Sequence, residues 1–172
     1  GSLLLATNDG LFATKIQRGI HGFRFLQNKR VPSDVESLGN NQVMSLLRSK
    51  DGKIYVATYG GGLNVVSSGN LFSDKIRFRA YTMDNGMSTD IVLALYEDKK
   101  GLIWAVSEHG LMSFNPRNDT FTNYIEGTFT KGFSFSECPP LGINTGKTTL
   151  FGTTQGVLAV DENVLGKSRY VP

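Results

Sequence analysis

Apolar and polar residues alternate along this chain in short runs, and glycine-rich breaks separate the runs. Val43, Ser45 and Leu47 alternate with Met44, Leu46 and Arg48. Asp51-Gly52 then turns the chain into Lys53–Tyr59, and Gly60-Gly61-Gly62 turns it again into Leu63–Ser67. Alternation puts every second side chain on the same face, so each run predicts a strand and each glycine-rich break a hairpin turn. A further strand is expected over Ile76–Thr82, carrying Phe78 and Tyr81. No long segment carries an i, i+3, i+4, i+7 apolar stripe, which excludes a helical solenoid.

The pattern recurs. Leu4-Leu5-Ala6-Thr7 precedes Gly10-Leu11, and Tyr55-Val56-Ala57-Thr58 precedes Gly62-Leu63. Trp104-Ala105-Val106-Ser107 precedes Gly110-Leu111, and Leu150-Phe151-Gly152-Thr153 precedes Gly156-Val157. Gly1, Gly52, Gly101 and Gly146 stand before the four phrases, about 51, 49 and 45 residues apart. The second and third copies align closely. Val92 stands before Gly101 as Val43 stands before Gly52, and Phe121/Tyr124 keep the Phe78/Tyr81 spacing.

Four antiparallel strands per unit of this period make the blade of a β-propeller. The first copy begins at its second strand. The last has candidates for three strands, Phe133–Glu137, Thr148–Thr154 and Val157–Asp161, with a short fourth at Ser168–Pro172. The expectation is an all-β partial propeller of about three and a half four-stranded blades. All of residues 1–172 form one propeller fragment, with blades near 1–31 (incomplete), 38–85, 87–126 and 132–172 (incomplete). A fragment of a larger propeller exposes blade faces and strand edges, so self-association is expected.

Composition changes this picture little. With 40% hydrophobic and 19% charged residues, 172 residues are enough to bury a core. No apolar stretch is long enough to span a membrane. The net charge of +3 arises partly from Lys15, Arg18, Arg24, Lys29 and Arg30, a segment with no acid between Asp9 and Asp34. It reads as a solvated face or a seat for an anionic partner. No nucleic-acid motif accompanies it. The single cysteine, Cys138, cannot form an intrachain disulfide and reads as a small buried residue.

The phrase G-x-h-W-h-(G/A)-T-x-x-G-L, preceded by V-x-x-(L/I)-x-x-D-x-x-G, resembles the two-component regulator propeller repeat. Val43–Val66 carries the resemblance best, above all in Thr58-Tyr59-Gly60-Gly61-Gly62-Leu63-Asn64. Ile91–Phe114 carries it with Trp104 in the aromatic position and Ser107 in place of threonine, and Leu3–Ala13 is a truncated copy. Phe133–Glu137 followed by Phe151–Gly156 looks like the closing blade, and Lys167–Pro172 like the exit into a tyrosine-rich immunoglobulin-like domain. The resemblance implies part of the periplasmic ligand-sensing region of a hybrid two-component histidine kinase anchored in the inner membrane. It implies a carbohydrate ligand, commonly an oligosaccharide, and relay by rearrangement of a sensor dimer. It implies no catalysis, cofactor, nucleic acid or membrane contact within this segment. Two other readings stay open: a propeller that serves only as a dimerisation surface, and a propeller enzyme acting on polysaccharide.

In an up-and-down blade, the loops joining strands two and three share a face with the loops between blades. The first group holds Asn8-Asp9, Tyr59-Gly60-Gly61, Glu108-His109 and Thr154-Gln155; the second includes Val35–Gln42, Met83–Asp90 and Gly127–Lys131. Loops on a rigid scaffold concentrate binding residues. Tyr59, Glu108, His109 and Gln155 are therefore the candidate ligand-binding residues. Tyr59 and His109 read either as sugar-contacting groups or as ordinary exposed turn residues. Trp104 shares its position with Leu4, Tyr55 and Leu150 and reads as packing between blades. Glu97-Asp98 is a poor acid–base pair, because adjacent strand residues face opposite sides. His21 and His109 are too far apart in sequence to suggest a metal site. Gly142–Thr149 lacks the glycine spacing of a phosphate-binding loop and reads as strand.

Overall fold

The structure, a computed structural model, describes residues 1–16, 22–124, 134–143 and 147–161. These form a partial β-propeller of four antiparallel sheets. The first contains β1 (Ser2–Thr7), β2 (Gly10–Lys15) and β3 (Leu26–Asn28). The second contains β4 (Val43–Arg48), β5 (Ile54–Thr58), β6 (Leu63–Val66) and β7 (Phe78–Tyr81). The third contains β8 (Ala94–Glu97), β9 (Ile103–Ser107), β10 (Gly110–Asn115) and β11 (Thr120–Tyr124). The fourth contains β12 (Leu141–Ile143), β13 (Thr148–Thr153) and β14 (Gly156–Asp161). Each strand pairs with its sequence neighbours, the up-and-down order of propeller blades.

Alternation along the central strands builds the core between sheets. On β5, Tyr55 and Ala57 face the third sheet, while Val56 faces the first. On β9, Ile103 and Ala105 return to the second sheet, while Trp104 and Val106 pack on the fourth. The second and third sheets are covered on both faces, so their central strands β5 and β9 read as nearly continuous apolar runs. Aromatic rings fill the wedge between the second and third sheets. Tyr81 lies 4.7 Å from Phe114, which lies 4.9 Å from Phe121. Trp104 is 4% exposed and stacks on Tyr124 at 5.4 Å, as its packing role requires.

The hydroxyl in the repeated phrase has one job in all four sheets. It donates to the carbonyl of the glycine that opens the next strand: Thr7 to Gly10 at 2.8 Å, Thr58 to Gly62 at 3.0 Å, Ser107 to Gly110 at 2.9 Å, and Thr153 to Gly156 at 3.0 Å. Ser107 therefore replaces threonine without loss of the bond. Gly62 has φ +68°, and a Cβ there would run into the Tyr81 carbonyl. The turn thus requires glycine for both conformation and space.

The fourth sheet departs from expectation. Of the innermost strand predicted over Phe133–Glu137, residue 133 lies outside the described residues and 134–137 form only a bridge from Phe135 to Thr153, while β12 supplies the continuous pairing. The sequence between them carries Pro139-Pro140, which have no N–H to give the ladder. The edge breaks at these prolines and resumes at Leu141. The fourth strand expected at Ser168–Pro172 lies outside the described residues, as do the loop expected at Gly127–Lys131 and the basic Arg18. Cys138 is exposed, not buried, because it sits in the bend before the prolines.

Candidate functional site

Backbone bonds between neighbouring sheets fix the face that carries the loops between strands two and three. Gly10 N–H donates to Asn41 O at 2.6 Å, and Gly62 N–H donates to Asp90 O at 2.8 Å. Asn41 and Asp90 occupy matching places before β4 and β8, so one device staples successive sheets. Gly60 N–H adds a bond to Asp90 O at 3.1 Å, and Phe135 N–H donates to Glu108 O at 3.0 Å. Asn64, fully buried, locks the glycine turn. Its amide donates to Gly61 O at 3.1 Å, and its Oδ1 accepts Gly39 N–H at 2.8 Å. The loops on this face are therefore held on a stiff frame.

A cleft of about 270 Å³ opens on this face at the third sheet. Ser88, Thr89 and Ile91 wall it on the entry side, and Ser107, Glu108 and His109 on the other. The Glu108 and His109 side chains are 45% and 74% exposed, with Oε2 and Nε2 3.8 Å apart. The cleft thus offers hydroxyls, a carboxylate and an imidazole above the apolar Ile91. Such a set can exchange several hydrogen bonds with a polyhydroxylated molecule.

Two of the four candidate residues come together here: Glu108 and His109 share the cleft. Tyr59 does not line it. Its backbone pairs with Ile91, which does, while its side chain stands 37% exposed at the neighbouring loop. Gln155 sits exposed at the turn between β13 and β14, with its N–H on Thr153 Oγ1 at 3.3 Å. Ser88 and Thr89 were not singled out by the sequence, although their loop, Met83–Asp90, was placed on this face. Their signal was position, not residue type.

Other suspected groups have structural jobs. Asp98 is 3% exposed. Its Oδ1 accepts the N–H groups of Lys100 at 2.8 Å and Leu102 at 2.9 Å, and its Oδ2 accepts Trp104 Nε1–H at 3.0 Å. Glu97 instead accepts Lys50 N–H at 2.8 Å, so the two adjacent carboxylates do not converge. Lys29 of the basic segment pairs with Asp9 at 2.6 Å, which holds the Asp9 carboxyl below its ordinary range, helped by Gln27. Among the described residues no group of three His, Cys, Asp or Glu side chains could hold a metal ion, and no helix is long and apolar enough to cross a membrane.

Residues 37–60 match the family model for the two component regulator propeller. The chain carries a two-component regulator propeller repeat. The match spans the entry loop, β4 and β5, and ends at the glycine turn that Asn64 locks. Solved structures resemble the whole chain. One is named as the extracellular domain of the hybrid two component system BT3049 from B. thetaiotaomicron. It is 16% identical, with a TM-score of 0.63, over 99% of this chain and 28% of that one. Another, named for the one component system BT4673 of the same organism, is 23% identical with a TM-score of 0.68, over 95% of this chain and 20% of that one. A third, named for the hybrid two component system BT4673, is 15% identical with a TM-score of 0.56, over 99% of this chain and 28% of that one. The chain therefore spans less than a third of each neighbour, and the likeness is one of fold. No curated protein matches it.

Proposed function

We propose that this chain is part of the ligand-sensing propeller of a membrane-anchored bacterial two-component sensor. Its ligand is a carbohydrate, bound on the face that carries Glu108 and His109. The observation that carries the reading is a two-component regulator propeller repeat over residues 37–60, beside which the third sheet opens a polar cleft whose Ile91 pairs with Tyr59 at the end of the match. Extracellular domains of similar fold support a place outside the cytoplasm, in the periplasm if the parent protein sits in an inner membrane. The staples from Gly60 and Gly62 to Asp90 join the cleft's entry wall to the second sheet. A ligand that prefers one arrangement of two sensor copies shifts that equilibrium by its differential affinity, and the shift is the signal.

The test is calorimetric titration of the chain with a panel of neutral and acidic oligosaccharides. The reading expects at least one saccharide to bind saturably, and His109→Ala and Glu108→Gln each to weaken it about tenfold. Binding that both substitutions leave unchanged would remove the cleft from the account. A second reading, an assembly surface, draws on exposed apolar residues of the same face, Val35 at 91% and Met83 at 58%. It expects no saccharide to bind and a concentration-dependent dimer in sedimentation that Val35→Asp with Met83→Asp abolishes.

A further inference from the structure

The opposite face, where strands one and two join, carries a second cleft, also of about 270 Å³, between the second and third sheets. Its floor is Tyr55. Comparing the two sheets explains why a polar group there lacks a partner. Tyr55 and Trp104 occupy the same place in the repeat, and Ser49 and Asp98 stand at matching places three residues before Gly52 and Gly101. In the third sheet Asp98 Oδ2 takes the Trp104 N–H. In the second sheet Ser49 turns away: its Oγ donates to Asp51 in a short bond and lies 3.0 Å from Lys53 O. Tyr55 is 1% exposed and lines the cleft, and among the described residues its hydroxyl has no hydrogen-bond partner.

The rim is cationic. Lys50, Lys53, Lys100 and Arg117 line the cleft against two carboxylates, Asp51 and Glu97. Both carboxylates are engaged, Asp51 by Ser49 and by Lys53 at 3.7 Å, Glu97 by Lys50 N–H. Lys50 Nζ donates to the neutral Asp98 carbonyl at 2.9 Å. The Lys100 and Arg117 side chains have no ion-pair partner among the described residues. The rim therefore carries more positive than negative charge, above a hydroxyl donor at the floor.

We propose that this cleft binds a compact oxyanion, with the Tyr55 hydroxyl donating to it from the floor and Lys100 and Arg117 supplying charge from the rim. A carboxylate, sulfate or phosphate group presents the acceptor oxygens this arrangement matches, and a guanidinium can engage two of them at once. Burial, reinforced by the negative charges of Asp51, Glu97 and Asp119, pushes the Tyr55 hydroxyl up to about 12, so it remains a donor at every physiological pH. The site lies on the face opposite Glu108 and His109 and does not depend on the carbohydrate reading.

The test is amide NMR of the full chain titrated separately with sodium sulfate, sodium phosphate and sodium malonate, at ionic strength held constant with chloride. The expected result is saturable shifts at Tyr55, Lys100 and Gly101 with at least one anion. Tetrahedral anions alone saturating would assign a sulfate or phosphate group, and malonate alone a carboxylate. The double variant K100Q/R117Q should weaken binding at least tenfold. Tyr55→Phe, which keeps the ring packing, should weaken it about fivefold. Shifts that stay linear in anion concentration, or saturation unchanged in K100Q/R117Q, would overturn the proposal.

Discussion

Replacing Asp98 by alanine tests whether the turn into β9 and the core between the third and fourth sheets are one unit. The substitution removes three acceptor contacts at once. Trp104 is 4% exposed, so its N–H would be left buried without a partner, at a cost of about 1–3 kcal/mol. The N–H groups of Lys100 and Leu102 lie nearer the surface and can turn to water, at a cost of about 0.5 kcal/mol each. The expected loss is about 3 kcal/mol. Trp104 is the only tryptophan in the chain, so its fluorescence reports this core directly. With a urea slope of about 2 kcal/mol per M, the midpoint should fall by about 1.5 M. Asp98→Asn keeps an acceptor and should lose roughly half as much. Glu97→Gln, beside it in sequence but bonded only to Lys50 N–H, should cost less than about 1 kcal/mol. An Asp98→Ala midpoint within about 0.3 M of the parent would refute the coupling of turn and core.

Three further outcomes follow from the same geometry. Thr58→Val removes the hydroxyl from the Gly62 carbonyl inside a fully buried site and should cost about 1–2 kcal/mol by urea titration, whereas Thr58→Ser, which matches Ser107, should cost far less. Gly62→Ala places a side chain at φ +68° against the Tyr81 carbonyl and should lose more than about 2 kcal/mol; a neutral result would mean the turn is not held as described. Burial pushes the Tyr55 and Tyr81 hydroxyls from 10.0 up to about 12, with a hydrogen bond to Asp119 adding to the effect at Tyr81. The folded chain therefore holds protons that the unfolded chain releases, so the stability they give is complete below pH 10.0 and is lost as pH rises towards about 12. Tyr55→Phe should flatten that loss in urea melts taken across the same range.

The repeat was legible because the central strands of the second and third sheets are buried on both faces and each turn reuses one chemistry. The Asp51-Gly52 and Gly60-Gly61-Gly62 breaks bound the run Lys53–Tyr59 that holds β5, and the Thr–Gly spacing marks the turn that follows, while the two packing partners of β5 show only in the structure. What failed was local. The repeat places a candidate first strand of the fourth sheet at Phe133–Glu137. Pairing there is limited by Pro139-Pro140, whose missing N–H groups outweigh the pattern before them. Residue type alone points to a buried Cys138, but the bend before Pro139-Pro140 turns it to solvent. In the first cleft, the loop face points to Glu108 and His109 but not to Ser88 and Thr89. Nothing marks those two residues until Asp90 is seen stapled to Gly60 and Gly62, which brings their loop to the cleft. The second cleft was invisible for a related reason. Tyr55 was placed correctly in the core, and only the turn of Ser49 toward Asp51 shows that its hydroxyl lacks the partner Trp104 has.

The most direct measurement of the central claim is an amide NMR map of the chain saturated with whichever oligosaccharide binds in calorimetry. The account predicts the largest shifts at Ser88–Ile91 and Ser107–Gly110, with little change at Tyr55, Lys100 and Gly101 on the other face. Shifts concentrated away from Glu108 and His109 would contradict it.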